Sequence, residues 1–120
     1  MIPNDGALAA LGLFSLIAYL FWRGTVVVMN ARHLVDMGAL LLDAGTTSEF
    51  SAAHIAGSVN IPASDVARHQ AEIGPWNRQI VVYARSGFQS TRAAQALRSI
   101  GYHSVTNVGR MSHWNTGGRG

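Results

Sequence analysis

The first pattern along the chain is an uncharged run from Gly6 to Trp22, GALAALGLFSLIAYLFW. It is apolar on every helical face, unlike the one-sided stripe of a helix at a protein surface. As a helix, residues 6–22 would be roughly 25 Å long, against a bilayer hydrocarbon core of about 30 Å. Tyr19 and Trp22 sit at its end, where amphipathic rings favour the interface, and Arg23 follows. The pattern then changes to short apolar runs alternating with helical segments. The β-branched run Val26–Met29 predicts a short strand, and Asn30 caps a helix through Met37 that Gly38 ends. Ala39–Ala44 reads as a buried parallel strand, and Thr46–Phe50 as a cap and a helical turn. A turn at Gly57 precedes a strand over Val59–Ile61. Ser64 and Asp65 open a helix towards Glu72, broken at Gly74–Trp76. Ile80–Tyr83 is a second central strand. A helix over Thr91–Ile100, with Ser90 at its start, packs Ala93, Ala94 and Leu97 inward and stops at Gly101. Ser104–Val108 is the last strand and Met111–Trp114 a final helical turn. This alternation predicts an α/β fold: a small parallel sheet with helices on both faces, preceded by one transmembrane helix. The expected division is an anchor over residues 1–24, a domain over 25–116 and a flexible tail over 117–120.

Composition and charge refine this picture. Only 12% of residues are charged, about half the usual quarter, largely because of the first thirty residues. The nine basic residues are all Arg and are scattered, so the formal charge of +3 does not form a nucleic-acid face. There is no Cys, which excludes disulfides, thiolate metal sites and cysteine catalysis in this chain. The five His lack metal-ligand spacing beside a third donor, so neither a metal nor a cofactor is expected. Arg23 and Arg32 follow the apolar segment and no basic residue precedes it, which predicts an inner or plasma-membrane protein with its domain in the cytoplasm. A cleaved signal peptide is the alternative. It would need a basic leading region, whereas only Asp5 carries charge before Gly6.

Candidate chemistry centres on IVVYARSGFQSTRAAQAL, Ile80–Leu97. A strand, a tight loop and a helix N-terminus form a geometry that holds an anion or presents a nucleophile. The loop comprises Ala84, Arg85, Ser86, Gly87, Phe88 and Gln89, with Ser90 opening the helix, and alanine stands where the nucleophile would be. Gly87 suits a backbone at positive φ. Ser86 is expected to bond within the loop and Ser90 to cap the helix. Asp43, at a strand's C-terminal end, is a supporting residue that either faces the pocket or bonds neighbouring loops. His54 is the other, as a turn tie or a base. Trp76 and Trp114 read as core lids.

Three stretches, in order, resemble the rhodanese homology domain. LLLDAGTTSEFSAAHIAGSVNIP is similar to the family's L-[LV]-D-V-R-x-x-x-E-[FY]-x-x-G-H-I-P-G-A-x-N-I-P. IVVYARSGFQSTRAAQAL is similar to its active-site segment I-V-V-Y-C-R-S-G-x-R-S-x-x-A-A-x-x-L, and SIGYHSVTNVGRMSHW to its closing A-G-Y-x-x-V-x-x-L-x-G-G-x-x-x-W. The resemblance implies a sulfurtransferase scaffold in which a loop cysteine carries sulfur as a persulfide. Here Ala84 replaces that cysteine and Gln89 the loop's last Arg, while Gly45 stands for an Arg and Arg110 for a Gly. The expectation is a membrane-anchored domain that binds without catalysis. Its partners would be membrane lipid through residues 6–22 and a small sulfur-containing anion, a protein persulfide carrier or another protein at the loop. Two alternatives stand beside it. One is a thiosulfate or persulfide sulfurtransferase whose cysteine was replaced at position 84. The other is a structural membrane module with a vestigial pocket.

Overall fold

A computed structural model describes residues 5–116. Its first element, α1, is a single helix over Asp5–Asp36. The strand expected at Val26–Met29 is therefore absent, and Asn30 is a helix-interior residue instead of a cap. The reason is tertiary packing. Val28 and Ala31 are buried, and Leu34 and Val35 pack beside them, forming one helical stripe against the sheet. That spacing outweighs the strand preference of a β-branched run. Gly38, at φ +107°, then turns the chain out of the helix.

Four strands, β1 (Leu40–Asp43), β2 (Val59–Asn60), β3 (Ile80–Ala84) and β4 (Val105–Arg110), pair in parallel in the order β2-β1-β3-β4. Between them lie α2 (Thr47–Ala52), a 3₁₀ helix (Ala63–His69) continuing into α3 (Gln70–Ile73), α4 (Gly87–Ser99) and α5 (Met111–Thr116). The segment expected as one helix from Ser64 is mostly 3₁₀, with its first turn closed by Asp65 N–H to the Pro62 carbonyl. The tail assigned to residues 117–120 lies outside the described residues.

Successive residues of β1 and β3 serve opposite layers, as a period of two requires. Leu40, Leu42, Ala44, Ile80, Val82 and Ala84 pack with Ala93 and Leu97 of α4, Val66 of the 3₁₀ helix and Ile73. Leu41, Val81, Tyr83 and Val108 pack on the α1 stripe and Trp114. The C-terminal part of α1 is thus an integral layer of the domain, while its N-terminal part exposes Leu11, Phe14, Ile17 and Phe21. Trp76 is half-exposed and covers Tyr102 at a ring separation of 5.1 Å. Gly101 is required there on two counts. It has φ +118°, and a Cβ would stand 2.9 Å from the Trp76 ring.

Candidate functional site

Strand β3 carries the chain to Ala84, which is wholly buried at the foot of the loop. Ser86 then caps α4: its Oγ accepts the Gln89 N–H at 3.1 Å, and Gln89 Oε1 accepts the Ser86 N–H at 3.3 Å. This reciprocal capping box starts the helix at Gly87, earlier than expected. Ser90 is accordingly not the cap. It lies buried in the first turn and donates to the Gly87 carbonyl at 3.0 Å. Nor does Gly87 have positive φ; the positive-φ glycines among the described residues are 38, 57, 74, 101 and 109. The serine cap shapes the loop, and the spacing Ser86-x-x-Gln89 was its readable signal.

The capping box uses two of the donors that an empty anion nest would offer. The amides of Ser86 and Gln89 face side-chain oxygens of the loop itself. Those of Gly87 and Phe88 sit in the first helical turn, where an α-helix has no internal acceptor. The Phe88 ring projects outward, 73% exposed, with the Arg92 guanidinium 5.9 Å from its centre.

Glu49, which the reading of the sequence did not single out, closes the loop from the other side. Its Oε1 accepts the Gln89 Nε2–H at 3.0 Å and the Thr46 N–H at 2.9 Å. Arg85 donates to the Glu49 backbone carbonyl at 3.3 Å. The Gln89 amide, then the Thr46 backbone and last the charge of Arg85 hold the Glu49 carboxyl below its ordinary range, against a smaller opposing effect of burial. A lowered pKa means that this latch persists as the solution is acidified and releases only as pH falls through the lowered value. An NMR titration following the Gln89 side-chain amide should place its transition below the ordinary glutamate pKa of about 4.3; Glu49→Gln should abolish it. The Thr46-x-x-Glu49 spacing marks a second capping box in the sequence, but its reach to Gln89 is long-range.

Asp43 and Tyr83 are register partners on the sheet face turned towards α1. Asp43 Oδ1 accepts the Gly45 N–H at 2.8 Å, and Asn60 Nδ2 donates to the Asp43 and Gly45 carbonyls at 3.0 and 2.9 Å. Tyr83 Oη accepts the Ile55 N–H at 2.9 Å and meets Ser58 Oγ at 2.9 Å. Burial, aided by Asp43, pushes the Tyr83 pKa up to about 12, against the hydrogen bonds it shares with Ser58 and Ile55. The group remains a neutral hydroxyl that ties two loops to the strand. Asp43 is thus a loop tie. His54 Nδ1–H donates to the Phe50 carbonyl at 2.7 Å, and its ring stacks on Phe50 at 3.8 Å. These contacts fix the end of α2 and place His54 on neither serine of the loop. Ser86 and Ser90 are engaged with Gln89 and Gly87, without the base that an activated hydroxyl needs.

A family model described as the rhodanese-like domain matches residues 29–115. Two Bacillus subtilis (strain 168) proteins are each 34% identical to the chain. "Uncharacterized protein YqhL" aligns over 77 residues, 63% of this chain and 60% of that protein. "Putative sulfur carrier protein YrkF" aligns over 73 residues, 61% of this chain and 39% of that protein. The alignment thus spans less than two thirds of either relative. Among solved structures, the human single-domain sulfurtransferase TSTD1 superposes with a TM-score of 0.61 at 28% identity, covering 70% of this chain and 88% of that one. A rhodanese with anions from E. coli gives 0.58 at 27% identity, covering 63% and 91%. The family match, the parallel sheet and the β3–loop–α4 arrangement lead to one assignment: the chain belongs to the rhodanese-like domain family, with Ala84 at the position of the loop cysteine.

Proposed function

We propose that the chain is a membrane-anchored, non-catalytic binding module that engages a protein partner at the rim of its loop. The observation carrying this reading is the loop itself. Its floor is a buried alanine, its capping box fills two amides, and the Gln89–Glu49 bond closes its mouth. A small sulfur anion would meet the Glu49 carboxylate there, with Arg85 as the opposing cation. The rim instead presents an exposed aromatic ring with Arg92 beside it, residue types enriched where proteins bind one another. A protein persulfide carrier fits this reading, since one relative is named a putative sulfur carrier. The anchor is supported by α1, whose Gly6–Asp36 segment is long and apolar enough to cross a membrane. The Arg bias then puts the domain in the cytoplasm.

Site-specific photo-crosslinking in native membranes tests the rim. A photoreactive residue at position 88 should give a discrete protein adduct, and one at exposed position 95 on the same helix should not. No adduct at either position would favour the vestigial structural module.

A further inference from the structure

We infer that the junction between α1 and the sheet is a seat for one anionic phospholipid of the membrane in which α1 is anchored. This inference rests on that membrane reading. A groove of about 540 Å³ lies between α1, β4 and α5. Leu20, Val27 and Val108 supply apolar wall, and Arg23, Asn107 and His113 supply polar groups. No acidic residue among the described residues lines it.

Position along α1 identifies the occupant. The groove involves helix residues 20 to 28, a rise of about 12 Å beginning where the uncharged run 6–22 ends. One end is continuous with side chains that would face acyl chains, and the other lies beneath the domain. Arg23 stands one residue beyond Trp22, at the depth of headgroups. Gly24 lines the groove, and a Cβ there would stand in open space, so a larger side chain at this position would project into it. Among the described residues Arg23 meets no opposing carboxylate in the groove and selects a negative headgroup, and the apolar wall at Leu20 and Phe21, on the membrane side of Arg23, takes the start of an acyl chain. A free phosphate would satisfy the cation and leave those walls wet.

The test uses the full chain in nanodiscs of equal phosphatidylglycerol and phosphatidylcholine. It is released into detergent for native mass spectrometry, with alkaline carbonate extraction of membranes run in parallel. One retained lipid is expected, with phosphatidylglycerol favoured about fivefold, the scale of one basic residue at an anionic surface. Arg23→Gln should bring the ratio near one, Arg23→Lys should keep the preference, and Gly24→Leu should reduce retention of both lipids. A chain that resists carbonate but retains no lipid, or shows no preference, overturns the seat and leaves the anchor standing. Extraction by carbonate overturns the anchor, and the seat with it. A phosphate adduct formed with inorganic phosphate alone, or a second copy of the chain occupying the groove, also overturns the lipid as occupant.

Discussion

Ala84→Cys is expected to convert the chain from one that takes up no sulfur to one that gains 32 Da on incubation with thiosulfate. The new thiol would stand at the end of β3, directly before the N-terminus of α4. The helix end stabilises negative charge there, and the first turn of α4 follows two residues later. A thiolate so placed attacks the outer sulfur of thiosulfate. The sulfur–sulfur bond of the donor breaks, sulfite leaves with the electron pair, and a cysteine persulfide remains. Cyanide then removes the outer sulfur as thiocyanate and returns the thiolate. The single variant should turn over slowly, because thiosulfate approaches a mouth where Arg85 is opposed by the Glu49 carboxylate. Adding Gln89→Arg supplies a cation against Glu49 and should raise thiocyanate release by about tenfold, equivalent to about 1.4 kcal/mol of barrier. Intact mass and thiocyanate assay read both effects. A folded single variant without the 32 Da gain would mean that the loop has lost more than its nucleophile.

Deleting residues 1–36 is expected to unfold the domain, whereas deleting residues 1–24 should leave it folded and soluble. The contrast follows from the two parts of α1. Residues 6–22 are exposed along their length, but Val28 and Ala31 are buried against Leu41, Val81 and Tyr83, with Leu34 and Val35 beside them. Removing that stripe forfeits about 5 kcal/mol of apolar burial, comparable with the whole margin of a small domain. It also uncovers one face of a parallel sheet, which requires cover on both sides. Near-UV circular dichroism and urea unfolding distinguish the two truncations. A cooperative transition in the shorter chain would show that α1 contributes no layer.

What was legible in the sequence depended on how local its cause is. β1 and β3 were readable to within one residue because strands buried on both faces appear as continuous apolar runs. LLLD and IVVYA are such runs. The α/β class followed from alternation, the position of the loop from the strand, loop and helix pattern, and the sulfurtransferase scaffold from the family resemblance. Val26–Met29 misled because a β-branched run carries the same local signal in a strand and in a docked helix. Only the stripe continuing through Ala31 and Val35 separates the two. Around the loop, the sequence reads Ser90 as the helix cap and Ser86 as a bond within the loop. The reciprocal partner at Gln89 decides for Ser86. Glu49 and Tyr83 escaped notice because their partners lie far away in sequence: Gln89 for one, Ile55 and Ser58 for the other.

The central claim is that this rhodanese-like scaffold binds without turnover. The most direct measurement is thiocyanate release from thiosulfate and cyanide by the unaltered full-length chain in nanodiscs, against a protein-free blank. With alanine at position 84 and no cysteine elsewhere, release should equal the blank at every protein concentration. Release rising in proportion to protein would contradict the account.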